Sequence, residues 1–101
     1  MRVLVFFDLP QTTIAERRAY RRFRKGLIRN GFIMMQESVY CKLALNNTAQ
    51  ESIMRTVRAL KPEHGLIQMM AITEKQFQKI ECVLGNVVAD TLDSTDRLVV
   101  L

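Results

Sequence analysis

Val3-Leu4-Val5-Phe6-Phe7 is an unbroken apolar run that stops on Asp8. A run of this length without alternation predicts an interior strand, covered on both faces. Pro10 prevents its continuation, and Thr13-x-x-Glu16 predicts a capping box that opens a helix near Ile14. Projected at about 100° per residue, positions 14–30 place Ala15, Ala19, Tyr20, Phe23 and Leu27 on one face. Asn30-Gly31 predicts the helix end, with Gly31 free to take a positive φ.

Beyond it, Phe32 to Met35 and Ser38 to Leu45 read as one long strand interrupted by a bulge or bend around Gln36-Glu37. Thr48-x-x-Glu51 repeats the capping-box pattern, and Ala49, Ile53, Val57 and Leu60 form the stripe of a second helix that ends before Pro62. Leu66 to Ile72 reads as a third strand, Thr73 to Phe77 as a short capped turn of helix, and Ile80, Cys82 and Leu84 as an alternating fourth strand that ends at Gly85.

These elements predict an α+β, ferredoxin-like βαββαβ domain over residues 1–85 with a four-stranded antiparallel sheet. Its first and third strands, the most continuously apolar, are expected to be central. Residues 86–101 are expected to be a linker and an extra C-terminal strand. The tail Arg97-Leu98-Val99-Val100-Leu101 is β-rich, and an unpaired strand of that kind calls for a sheet edge. Pairing with a second subunit is the preferred account, ahead of return to its own sheet.

The 101 residues suffice for one core, and 49% hydrophobic with 25% charged residues is a globular balance. No apolar run approaches the roughly 20 residues of a membrane span, so a cytoplasmic location is expected. Cys41 and Cys82, both in apolar segments, read as reduced core thiols, and His64 as a turn residue without a metal partner.

Charge changes the picture more than composition does. Residues 1–30 carry eight bases against two acids, a net +6, whereas residues 31–101 carry seven against eight, a net −1. On the helical projection all seven bases of the first helix fall within an arc of roughly 160°. Such crowding costs repulsion, and a polyanion partner would relieve it. Arg17, Arg18, Arg21, Arg22 and Lys25 are the expected phosphate contacts, with Arg24 and Arg29 as secondary ones.

The strand ending in Asp8, the arginine-rich helix with Phe23 and Leu27, Gly31-Phe32 and Gln36-x-Ser38-Val39-Tyr40 together resemble the small CRISPR-associated adaptation protein that accompanies the CRISPR integrase, the Cas-two family. Thr73-Glu74-Lys75-Gln76-Phe77 and Arg97-Leu98-Val99-Val100 resemble members from systems with a single-protein effector nuclease, so the likeness spans essentially the whole chain. It implies a ferredoxin-like homodimer whose C-terminal strand, including Leu98, Val99, Val100 and Leu101, reaches a partner. It also implies two roles: a bridge between integrase dimers that supports duplex DNA in spacer acquisition, and a metal-dependent endonuclease acting on RNA or DNA. Many members carry tyrosine just before the strand-end aspartate, where Phe6-Phe7 stand here.

Asp8 is the expected catalytic and metal-binding residue, since capping explains Glu16 and a solvent-facing bend explains Glu37. One carboxylate per chain falls short of a two-metal nuclease site. A two-fold dimer would bring both Asp8 carboxylates together around Mg²⁺, with Phe7 and Ser38 backbone groups shaping the site. Two other readings share the topology. An RNA-recognition module stacks bases on aromatics of its central strands, and Leu66 to Ile72 has none. A non-catalytic regulatory dimer leaves the segregated bases without a role.

Overall fold

The computed structural model describes residues 1–85. Along them run β1 (Arg2–Asp8), α1 (Ile14–Arg29), β2 (Ile33–Gln36), β3 (Val39–Leu43), α2 (Asn47–Leu60), β4 (Leu66–Ile72) and α3 (Glu74–Gln78). The strands form one antiparallel sheet in the order β2-β3-β1-β4. This is the ferredoxin-like order, with α1 and α2 as the two crossovers. The expected C-terminal strand, including Leu98, Val99, Val100 and Leu101, lies outside the described residues.

β1 is interior, as its apolar run predicts, pairing with β3 on one side and β4 on the other. Its alternate residues serve different layers. Val3, Val5 and Phe7 join Phe23 and Leu27 of α1, Ile53 and Val57 of α2, and Tyr40 of β3 in the main core. Leu4 joins Cys41 and Ile72 in a smaller cluster on the other side, flanked by Phe6, Met35 and Phe77. Burying each of the large side chains of the main core contributes about 1.5–3 kcal/mol. The two helices therefore bind to one side of the sheet.

Helix 1 starts and ends as expected. Thr13 Oγ1 accepts from the Glu16 amide at 3.0 Å, and Glu16 Oε1 accepts from the Thr13 and Thr12 amides at 3.0 and 2.9 Å. At the far end Asn30 is the cap, Gly31 leaves at φ 88°, and the Lys42 ammonium of β3 donates to the Asn30 carbonyl. That ammonium offsets the negative end of the helix dipole.

Six expectations are corrected. The interrupted long strand is a hairpin, β2 and β3 joined at Glu37-Ser38, with a register shift between Met34 and Gln36. Two short strands on either side of a tight turn carry the same apolar pattern as one bent strand. The hairpin supplies the sheet's fourth strand, so Ile80 to Leu84 is irregular and exposed, and Cys82 is exposed rather than a core thiol. Leu66–Ile72 is not central: it pairs only with β1 among the described residues, and β3 is the second central strand. Helix 2 is capped by Asn46, whose side chain accepts from the Ala49 amide at 2.8 Å, two residues earlier than Thr48 would allow. Glu51 is thereby released to pair with Arg58 at 2.8 Å. Finally, Ala15 is exposed, because the sheet and α2 reach only the C-terminal part of the α1 stripe.

Candidate nucleic-acid interface and strand-end acid

The bases of α1 lie on its solvent side. Arg17, Arg18, Arg21, Arg22, Lys25 and Arg29 are exposed and Arg24 is half-buried, while Phe23 and Leu27 on the opposite side are buried. Among the described residues the only ion pairs are Arg2–Glu74 and Arg58–Glu51, so no base of α1 has a carboxylate partner there. Arg17 is anchored by its own chain, donating from Nη1 to the carbonyl oxygens of Thr12 at 2.9 Å and Gln11 at 3.3 Å. An unneutralised row of guanidinium groups on one rigid helix can follow a phosphate backbone without reading its sequence.

Asp8 is the exposed last residue of β1, paired across the sheet with Leu66. Strand alternation puts its side chain on the side of Leu4 and Phe6, away from α1 and α2. The sequence joins the acid to the basic helix through five loop residues, but the sheet separates them: the bases face solvent on one side and the acid lies on the other. Two contacts fix the end of β1. The Phe7 amide donates to the Ser38 carbonyl at 3.1 Å, which ties it to the β2–β3 turn. Gly65, at φ 115°, passes so close that a Cβ there would meet Leu9 Cδ2 at 2.5 Å and the Asp8 carbonyl at 3.1 Å. Only glycine fits that approach.

No group of three or more His, Cys, Asp or Glu side chains capable of holding a metal occurs among the described residues. Asp8 thus offers one carboxylate per chain. Mg²⁺ commonly takes only one or two protein carboxylates and completes its shell with waters and substrate phosphate, so this donor set fits the ion when a second copy or a nucleic-acid phosphate completes it.

Among the described residues the sheet side that carries Asp8 is sparsely covered. α3 closes one end of it: Arg2 Nε donates to Glu74 Oε2 at 2.8 Å, and the Arg2 guanidinium stacks 4.4 Å from the centre of the Phe77 ring. Beneath them Cys41 is buried, and burial pushes its thiol pKa up, partly opposed by Arg2. Elsewhere Leu43, Leu66 and Met70 remain 47%, 55% and 48% exposed.

One polar group escaped the sequence reading. Tyr40, fully buried on β3, stacks on Phe7 with ring centroids 5.6 Å apart, and its hydroxyl has no hydrogen-bond partner among the described residues. An unpaired buried hydroxyl costs about 1–3 kcal/mol. Burial raises the Tyr40 pKa, and the nearby Arg24 guanidinium partly opposes it. The signal was present in Val39-Tyr40-Cys41, a hydroxyl between two apolar residues of a central strand.

This arrangement defines a small ferredoxin-like α+β protein with a basic helical face and an acid on the opposite side of the sheet. The sequence profile described as CRISPR associated protein Cas2 matches residues 1–80. The CRISPR-associated endoribonuclease Cas2 of Treponema denticola is 48% identical over 101 residues, the full length of both chains. Those of Streptococcus mutans and Ligilactobacillus salivarius are 43% and 38% identical over the whole of this chain, covering 93% and 100% of their own. A crystal structure of Streptococcus pyogenes Cas2 superposes with a TM-score of 0.63 at 23% identity, over 84% of this chain and all of that one, and corroborates the fold. The chain belongs to the CRISPR-associated protein Cas2 family.

Proposed function

We propose that this protein is a subunit of CRISPR adaptation, the acquisition of new spacers, in which a homodimer bridges integrase dimers and holds duplex prespacer DNA on α1. The observation that carries this reading is the face formed by Arg17, Arg18, Arg21, Arg22 and Lys25, exposed and without carboxylate partners among the described residues. Contacts from these side chains go to phosphates, so binding would be nearly independent of sequence and would weaken steeply with salt.

The two-sided layout supports a dimer. A second copy docked on the sparsely covered side of the sheet would bury Leu66 and Met70, bring two Asp8 carboxylates toward one axis, and leave both basic helices free for DNA. Relatives bear the name endoribonuclease, and the corresponding activity here is a phosphodiesterase that cuts RNA or DNA. In it, paired Asp8 side chains would hold Mg²⁺, while the Phe7–Ser38 tie and the close passage of Gly65 fix where those carboxylates stand. The bound ion would supply an activated water and charge neutralisation at the scissile phosphate. Bridging is the principal role in this reading, because five or more bases serve it and one acid serves the chemistry.

The central strands disfavour a base-stacking RNA module. β3, not β4, is the second central strand, and its one aromatic, Tyr40, is buried toward the helices. That leaves Phe6 as the single aromatic of β1 and β3 on the other side.

Spacer acquisition in cells tests the reading with two variants, Asp8→Asn and the triple Arg17→Gln/Arg18→Gln/Arg21→Gln. Loss in the triple variant and retention in Asp8→Asn is the expected result. Loss confined to Asp8→Asn would overturn the bridging role in favour of catalysis.

A further inference from the structure

Between α1 and the β2–β3 hairpin lies a cleft of about 430 Å³ lined by Tyr20, Arg21, Arg24, Met34 and Glu37. Tyr40 stands across the hairpin from Met34 and packs with Tyr20 against the Phe7 ring, so it borders two of the cleft's lining residues, and Arg24, Tyr20 and Glu37 also act on its titration. The Tyr40 hydroxyl is buried and has no hydrogen-bond partner among the described residues, although Arg24 is close enough to act on it. Arg24 is half-exposed, and its long side chain can swing without disturbing the backbone of α1. Arg21 belongs both to this cleft and to the exposed basic arc, so the two surfaces are continuous.

We propose that this cleft is a seat for a single phosphate group of a nucleic-acid strand, gripped by Arg21 and Arg24 and completed by the hydroxyl of Tyr40. The inference rests on the reading that α1 binds nucleic acid, and it names a site within that surface. Two guanidinium groups and a phenol converge as donors, and a tetrahedral anion with several acceptor oxygens is the group that satisfies them together. Movement of Arg24 onto the phosphate exposes the Tyr40 hydroxyl, which then gains the acceptor it lacks in the free protein. Glu37 at the rim repels the anion and limits its affinity.

Inorganic phosphate, titrated against chloride at constant ionic strength, should raise the melting temperature of the full chain to a saturating limit. Tyr40→Phe and Arg24→Gln should abolish that rise, and Glu37→Gln should enlarge it. Because Tyr40→Phe removes an unpaired hydroxyl, its melting temperature without phosphate should equal or exceed that of the wild type, which separates loss of the site from loss of the fold. On a short duplex, Tyr40→Phe should weaken binding roughly tenfold with the salt slope unchanged, whereas Arg24→Gln should also lower that slope by about one. Duplexes with and without 5′-terminal phosphates identify the source: a preference that vanishes in Tyr40→Phe assigns the seat to a strand end, and its absence assigns it to an internal phosphate. Equal stabilisation of all variants by phosphate, or none of the wild type, overturns the proposal. Phosphate-specific stabilisation without duplex binding would keep the seat and reject α1 as a duplex surface, while duplex binding indifferent to Tyr40 and Arg24 would keep the surface and reject the seat.

Discussion

The two sides of the sheet are built from the same strand and end in different states. Val3, Val5 and Phe7 face the helices and are almost completely buried, while their neighbours Leu4 and Phe6 face a side where, among the described residues, α3 covers one end only. Apolar residues stand on both sides of β1, although the side of Leu4 and Phe6 also carries the charged Arg2 and Asp8, so covering depends as well on what the rest of the chain supplies. Two crossover helices suffice for one side of a four-stranded sheet, and among the described residues only α3 lies on the other. The largest effect should come from the covered side. Phe23→Ala, which removes a ring packed edge-on against Phe7 at 5.1 Å, should cost about 3–5 kcal/mol in denaturant unfolding. Met70→Ala on the open side should cost under about 1 kcal/mol at dilutions where any pair has dissociated. Comparable losses would erase the distinction between the two sides.

A charge on the open side tests its purpose. Met70→Lys leaves the helix-side core untouched and, under the dimer reading, should convert a concentration-dependent pair to a monomer in sedimentation at unchanged helicity. Unchanged self-association would show that this side does not join copies.

How much of this could be read in advance follows from the same asymmetry. Periodicity and capping chemistry are local, so the interior position of β1, both ends of α1 and the short α3 are legible from Val3–Phe7, Thr13–Glu16, Asn30-Gly31 and Thr73–Gln76. The hairpin is not, because Gln36-Glu37-Ser38 lacks the glycine or asparagine that marks a tight turn and a bulged long strand carries the same pattern. Without that turn the apolar pattern puts the fourth strand at Ile80–Leu84 and Leu66–Ile72 at the centre. At the site, residue types were legible and their sides were not. Asp8 and the arginines are adjacent in sequence, and only the alternation of β1 against the placement of α1 reveals that they face opposite ways. The cleft beside Arg24 depends on α1 meeting the β2–β3 hairpin, which no local pattern encodes.

The partly covered end of the open side gives a smaller effect. Cys41 lies there, 3% exposed beneath the Arg2–Glu74 and Arg2–Phe77 contacts, whereas Cys82 is exposed. A thiol reagent at neutral pH should label Cys82 quickly and Cys41 slowly, since burial both shields the Cys41 thiol and holds it protonated. Phe77→Ala should accelerate Cys41 severalfold without unfolding the helix-side core, as followed by rate measurement on a Cys82→Ser background. An unchanged rate would mean that α3 is not the cover.

The smallest effect belongs to the start of α1, outside both sides of the sheet. Hydrogen bonds from the Thr13 and Thr12 amides hold the Glu16 carboxyl below its ordinary value of 4.5, against slight desolvation. A carboxyl whose pKa is lower folded than unfolded contributes stability that is complete above the unfolded pKa and fades as pH falls through the folded one. The contribution is therefore present at neutral pH and lost in acid below about 4.5. Glu16→Gln keeps an acceptor for the two amides and removes the titration, so the wild type and the variant should converge in stability as pH is lowered. Denaturant midpoints measured between neutral pH and pH 3 check this, and because the group is exposed the gap at neutral pH should be small. A gap that widens in acid would place the titrating group elsewhere, and the first turn of α1 would then owe its stability to Thr13 alone.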